Sequence, residues 1–399
     1  VIVVAPGTYV ENIDFSGKEI TLRSTDPDDA AVVEQTIIDG GDQGSVVTFR
    51  NGETVRAVLA GFTITNGSGS RYLASEAVGE ITCRGSVFGS REQERFCGGG
   101  IVVDNTWPTI EKNIIRGNRA KHGGGGIFVA SAAFPTIRDN QIVDNKAGAG
   151  AGLFVIKDSW PTIVNNAITG NRANEQGGGI VVELHAAPRI EGNTIEGNES
   201  SAGGGLIVFN YATATLQGNV IAENLGIQGG GAIFVGATSS AILRANTLSK
   251  NESSVGGGLY CELGSSVELL GNTFSGNVAA FTGGGIDTGG CYVQIEGNVF
   301  SHNQADYGGA IYDGGNPSLQ IKDNTIEHNT AKQGGGLCQK GSLAASVLGN
   351  LFQSNFAEEG GAIWSSSRSI LEINQPDDNV FQDNQPDDVY VQPEETSPS

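Results

Sequence analysis

The chain has 399 residues and a formal net charge of −21, with 61 glycines, charged residues at only 17% and no methionine. That charge argues against a nucleic-acid binder, which presents a strongly basic surface. No apolar run reaches the ~18 residues of a membrane span and no signal-peptide pattern is present.

Residues 1–66 read as irregular opening coils of short strands: VIVVAPGTYVENI, KEITLRS, TIIDG, VVTF and VLAGFTITNG. The sequence starts inside a strand, at Val1-Ile-Val-Val, without a polar cap. A solenoid needs its terminal edges capped, so we expect a segment of a longer precursor. Residues 67–97 form an inserted loop, too long for a passive turn, that should fold over one side of the solenoid. Cys83 and Cys97 mark its later boundaries, and a disulfide between them would pin it if the protein is exported.

From residue 98 to 390 the unit GGGIVVDNTWPTIEKNIIRGN returns with small variations. The aliphatic residue after the glycines recurs from Ile101, Ile127 and Leu153 to Ile363, with a mean period of about 26 residues. Two asparagines keep step, one column running from Asn113 to Asn350 and the other from Asn118 to Asn355. Glycine triplets and frequent Asn and Thr oppose helix, and no apolar spacing of three to four residues runs long enough to bury a helix face. Three short strands per unit remain: GGG-I-V-V with Ile101 and Val103 inward, T-I with Ile110, and N-I-I with Ile114. Glycine and asparagine are expected to turn the corners, where positive φ is needed. Parallel stacking at ~4.8 Å per layer then satisfies the backbone. It also places aliphatic on aliphatic and Asn on Asn. We therefore expect an all-β protein, a right-handed single-stranded parallel β-helix of about 13–14 coils, read as one domain.

The tail 391–399 ends in PEETSPS and reads as a linker, after a QPDD motif at Gln375 to Asp378 that recurs at Gln385 to Asp388. The segment from Pro6 to Ile13, with Ile37-Ile-Asp-Gly and Gly61-Phe-Thr-Ile, resembles the start of many secreted members of the pectate-lyase-like right-handed β-helix superfamily. The GGAI motifs ending at Ile233, Ile311 and Ile363, with F-x-x-N at Phe274 to Asn277, Phe300 to Asn303, Phe352 to Asn355 and Phe381 to Asn384, resemble chlamydial polymorphic outer-membrane proteins. The matched residues are turn and core positions. They imply the fold and an extracellular or cell-surface location, whereas the superfamily itself includes lyases, hydrolases, epimerases, adhesins and structural proteins.

Chemistry has to come from outward columns. Trp107, Phe134 and Trp160 recur before the T-I strand in three consecutive coils, and Arg119, Lys146 and Arg172 recur after the second Asn in the same coils. The neighbouring loop adds Arg71, Tyr72, Arg84, Arg91 and Arg95. A third column, from Val102, Phe128 and Phe154 to Tyr312, Cys338 and Trp364, is a mostly apolar stripe that either marks an interface or lies covered. Cys261 reads as a buried small side chain in an inward column, Cys291 as a turn residue, and no bridge or metal site is expected among Cys261, Cys291 and Cys338. His122, His185, His302 and His328 show no metal-ligand spacing either.

Two functions follow. The first is a secreted or cell-surface solenoid with a structural, adhesive or glycan-binding role, in which the aromatic residues stack on sugars and the cations pair with carboxylate or sulfate. The second is a polysaccharide lyase or uronate epimerase, with Lys146 as base, Arg119 and Arg172 neutralising the carboxylate and His122 as a further candidate. The regular coils favour binding over catalysis. No cofactor is expected; the expected partners are an acidic polysaccharide or other copies of the chain, joined along the apolar stripe or end to end.

Overall fold

The computed structural model describes residues 1–73, 94–315, 319–341, 345–366, 371–373 and 379–393. They divide into two compact units, Val1–Thr215 and Leu216–Ser399. The same coil builds both, and the expected all-β parallel solenoid with a repeat of about 26 residues is what is observed.

In the first unit the strands Ile101–Asp104, Ile127–Ala130, Leu153–Ile156, Ile180–Glu183 and Leu206–Phe209 pair in parallel as one sheet, with the aliphatic column in strict register. Thr109–Glu111, Thr136–Arg138, Thr162–Val164 and Arg189–Glu191 form a second sheet. Ile114–Arg116, Gln141–Val143, Ala167–Thr169 and Thr194–Glu196 form a third. The opening coils join these same ladders, Val47–Phe49, Val58–Ala60 and Thr63–Thr65 each pairing with the first regular coil. They also carry a six-residue helix, Ala30–Gln35, capped by the Asp29 side chain. The inserted loop contributes an antiparallel pair, Ser70–Leu73 with Glu94–Cys97. No described helix is long and apolar enough to cross a membrane.

Alternation sends Ile101, Val103, Ile127, Val129, Leu153 and Val155 to the interior, where all are fully buried. The asparagines line the same interior. Asn113 Nδ2 donates to Leu59 O at 3.0 Å and to Asn140 Oδ1 at 3.1 Å, and its backbone N–H donates to that same oxygen at 3.0 Å. The Asn118, Asn145 and Asn171 column repeats this pattern. Each buried amide thus satisfies backbone groups that the corner leaves unpaired.

The corner itself differs from expectation. The residue before each asparagine, not the asparagine, takes the left-handed conformation: Lys112 at φ 54°, Asp139 at 57° and Asn165 at 54° before the first column, Asp144 at 54° before the second. Bending there lets the following Asn point inward while the bending residue points out, which is why its identity varies so widely.

In the second unit Ile233–Val235, Leu259–Cys261, Ile286–Asp287, Ile311–Asp313, Leu337–Gln339 and Ile363–Ser365 form the corresponding sheet. Its core is more aromatic, with Phe274 and Phe300 stacked at 4.8 Å and Phe352 and Phe381 at 5.3 Å. An inward column is also polar here, since Thr288, Asp313, Gln339 and Ser365 are all fully buried. Ser365 Oγ donates to Gln339 Oε1 at 3.2 Å.

One expectation is corrected, and of the two alternatives left for the apolar stripe one is favoured. Cys261 and Cys291 are joined in a disulfide, with Cα atoms 5.8 Å apart. The turn at Gly289 and Gly290, both at positive φ, carries Cys291 out of the regular register and back against the preceding coil, which a column count cannot foresee. The apolar stripe is not an open surface: Val102, Phe128, Phe154, Val181, Ile207, Cys338 and Trp364 are buried. The glycine turn before each strand folds over it. Gly124 sits at φ 67°, and a Cβ there would lie 2.8 Å from Phe128 Cβ and from Ile127 O, so only glycine allows the turn to close so tightly. Over these residues the stripe is a second thin core beneath the turns, whereas Phe234, Tyr260 and Tyr312 are half-buried.

Candidate functional site

The basic column is built by the coil that buries the second asparagine. Lys146 N donates to Asn118 O at 2.9 Å and Arg172 N to Asn145 O at 3.0 Å, which holds these residues in register directly beyond the Asn ladder. Arg119 bridges to Lys146, and Lys146 pairs with Arg172. The next residues, Ala120, Ala147 and Ala173, turn inward and form a small apolar cluster with Ala151, so alternation leaves the three cations facing out. With Ser68, Lys121 and Asn174 they line a groove of ≈ 580 Å³.

The groove is less positive than its composition suggests. Arg119 forms an ion pair with Asp42, from a turn of the opening coils, and Arg172 lies 3.7 Å from Glu199. Lys146 has no acidic partner among the described residues and is exposed. Exposed pairs of this kind contribute little to stability and exchange readily for an anionic ligand.

The aromatic column also forms as a ladder. Trp107 and Phe134 stack with centroids 6.0 Å apart, and Trp160 meets Phe134 edge-on at 5.6 Å. It stands at the corner between the first and second sheets, each ring preceding a buried proline (Pro108, Pro135, Pro161). None of the three lines the basic groove, which lies at the corner after the third sheet. The two columns share coils but not a site. His122 is engaged structurally, its Nδ1 accepting the Phe96 N–H at 3.0 Å. Of the loop cations, Arg71 is exposed, whereas Arg84 and Arg91 lie outside the described residues. Cys97 is disulfide-bonded and fully buried; Cys83 lies outside the described residues.

Among the buried carboxyls that sequence reasoning missed, Glu183 and Asp287 are shifted strongly by burial. Glu183, in the first sheet of the first unit, is pushed up to about 8 by burial, against the opposing hydrogen bond from Asn210 Nδ2 at 2.5 Å. Its Oε2 has no hydrogen-bond partner among the described residues. Asp287 in the second unit is raised to about 6 by burial, opposed by hydrogen bonds from Thr282 and Gly289 and reinforced by Asp313. Both occupy columns that are apolar in neighbouring coils. A departure from the column was the available signal, legible for Asp287 within the stripe. The second unit also carries a groove of ≈ 430 Å³ on its second sheet, lined by Ser240, Ser266, Tyr292, Glu268, Gln294 and Gln320, with no cation. Among the described residues no group of three or more His, Cys, Asp and Glu side chains is placed to hold a metal ion.

A family model for the right-handed β-helix region matches residues 10–195 and 178–375. The chain belongs to the right-handed β-helix family. No curated protein and no solved structure matches this β-helix. Family membership therefore accounts for the stacked coils and is silent on what the grooves bind.

Proposed function

We propose that this β-helix is an exported or cell-surface binding protein, and that its ligand is an extended acidic polysaccharide held along the Arg119, Lys146 and Arg172 column. The observation that carries the reading is the open groove in which three cations stand on successive coils in strict register. A repeat of ~4.8 Å per coil matches repeated carboxylate or sulfate groups better than an isolated anion. The Cys261–Cys291 disulfide supports an oxidising compartment. Binding is favoured over lyase or epimerase chemistry because His122 is committed to the Phe96 backbone and the three coils keep their regular register through the groove.

The test is binding of polygalacturonate and of heparin at several salt concentrations. The wild type should bind with an affinity that falls as salt rises, and joint replacement of Arg119, Lys146 and Arg172 by Ala should abolish it. Unchanged binding in the triple variant would leave the column without a ligand role. Appearance of unsaturated product during incubation with polygalacturonate would instead establish the lyase.

A further inference from the structure

In a solenoid, residues one repeat apart are neighbours, and His302 and His328 are separated by one coil. Each occupies the left-handed position before the second asparagine, at φ 57° and 55°. Their backbones are held in parallel by Asn303 and Asn329, Asn303 Nδ2 donating to Asn329 Oδ1 at 2.9 Å, and by donation from His302 N to Glu327 O at 3.2 Å and from His328 N to Gln353 O at 3.0 Å. Both side chains are exposed. The imidazoles lie with centroids 5.1 Å apart and planes within 5° of parallel. Neither ring has a hydrogen-bond or ion-pair partner among the described residues, in contrast to His122, which accepts from Phe96.

We propose that His302 and His328 form a two-imidazole site for a divalent transition metal of the zinc or copper class, clipping two adjacent coils of the second unit. Parallel, exposed rings on adjacent coils can each turn a nitrogen toward a shared ion. A metal–nitrogen distance of ~2.0–2.1 Å requires the two nitrogens to approach to roughly 3.3 Å, which two exposed rings reach by tilting toward each other without moving the backbone. Neutral imidazole selects zinc, copper and nickel over magnesium and calcium, which take oxygen. The stretch that holds them is acidic overall, residues 216–399 carrying 6 Lys and Arg against 20 Asp and Glu, which favours a cation. With two protein ligands, water completes the coordination shell.

The experiment is titration of the intact chain with zinc chloride by calorimetry, alongside the variants His302→Asn, His328→Asn and His185→Asn. Asparagine tolerates the left-handed conformation, so the corner is preserved. The wild type and His185→Asn should bind one zinc with equal affinity, and each of the other two variants at least tenfold more weakly. Zinc should raise the melting temperature of the wild type and not of those two, and magnesium should not compete. Equal zinc affinity in the wild type and His302→Asn, absence of binding in the wild type, or displacement by equimolar magnesium would each overturn the site, the last by pointing to surface carboxylates. Melting of the metal-free variants reports whether any loss comes from misfolding, and the zinc-dependent shift keeps the proposal testable if they are less stable.

Discussion

The two units use one coil and write different chemistry on it. At the position after the second asparagine the first unit places Arg119, Lys146 and Arg172 before Glu199, whereas the second places Leu225, Glu252, Val278, Gln304, Thr330 and Phe356. Leu225, Val278 and Phe356 are exposed there, as are Ile227 and Phe281 nearby. The interior reverses the contrast: where the first unit has an aliphatic column, the second has the buried Thr288, Asp313, Gln339 and Ser365. The comparison teaches that the asparagine ladder and the aliphatic column specify the coil, while the residues between them are free to vary.

If so, the ladder should be equally costly to break in both units. Asn145→Ala strands the Ile115 carbonyl and removes the acceptor shared by Asn118, and Asn277→Ala does the same to Leu248 O and Asn251. Each should lose about 3 kcal/mol or more, from several buried groups left unpaired at ~1–3 kcal/mol each. Denaturant unfolding measures this, and a loss confined to one unit would break the comparison.

The buried carboxyls should separate the units by pH. Glu183 is raised from an ordinary 4.5 to about 8, so between those values the folded chain holds a proton that the unfolded chain has released. Its contribution is therefore complete below pH 4.5, declines as pH rises, and is gone above about 8. For Asp287 the same loss runs from 3.8 to about 6. Glu183→Gln should remove the decline up to pH 8 and stabilise the protein at neutral pH by up to a few kcal/mol, while Asp287→Asn should remove only the decline between 3.8 and about 6 and keep a constant stabilising effect above it. Coincident pH profiles for the two variants would contradict the assignment.

Within the basic column, Lys146→Ala should weaken polysaccharide binding more than Arg119→Ala, because Asp42 already partners Arg119. A several-fold difference is expected, largest at low salt. Trp160→Ala should have the smallest effect: the ring is 57% exposed, so stability should change by less than ~1 kcal/mol and polysaccharide binding not at all. Mass mapping of unreduced protein should find Cys83 bridged to Cys97, and two free thiols there would reject the tethered loop.

The fold was legible because its signals are periodic. Ile101 to Ile363 and the two asparagine columns repeat often enough that period and composition together leave one architecture. The candidate site was legible only as columns. Register follows from counting, so the stacking of Trp107 on Phe134 and of Arg119 on Lys146 could be read in advance. What counting cannot give is which corner a column occupies, what folds over it and where the chain leaves the repeat. For these reasons the groove excludes the tryptophans, the stripe is covered by glycine turns, and Cys291 reaches Cys261. His302 and His328 were overlooked for a related reason: a search for local ligand spacing ignores pairs that only the stacking brings together.

The left-handed residue before each asparagine has a consequence for how such a chain changes over time. It faces away from the interior and is occupied by Gly, Ala, Asn, Asp, Glu, Lys, His or Ser in different coils. A substitution there leaves the aliphatic and amide ladders untouched, so mutation can revise the surface one layer at a time, at ~4.8 Å per step. Duplication of a single repeat would lengthen the row and copy whatever functional group it displays. A pair of like side chains can thus arise from one recombination event and no point mutation.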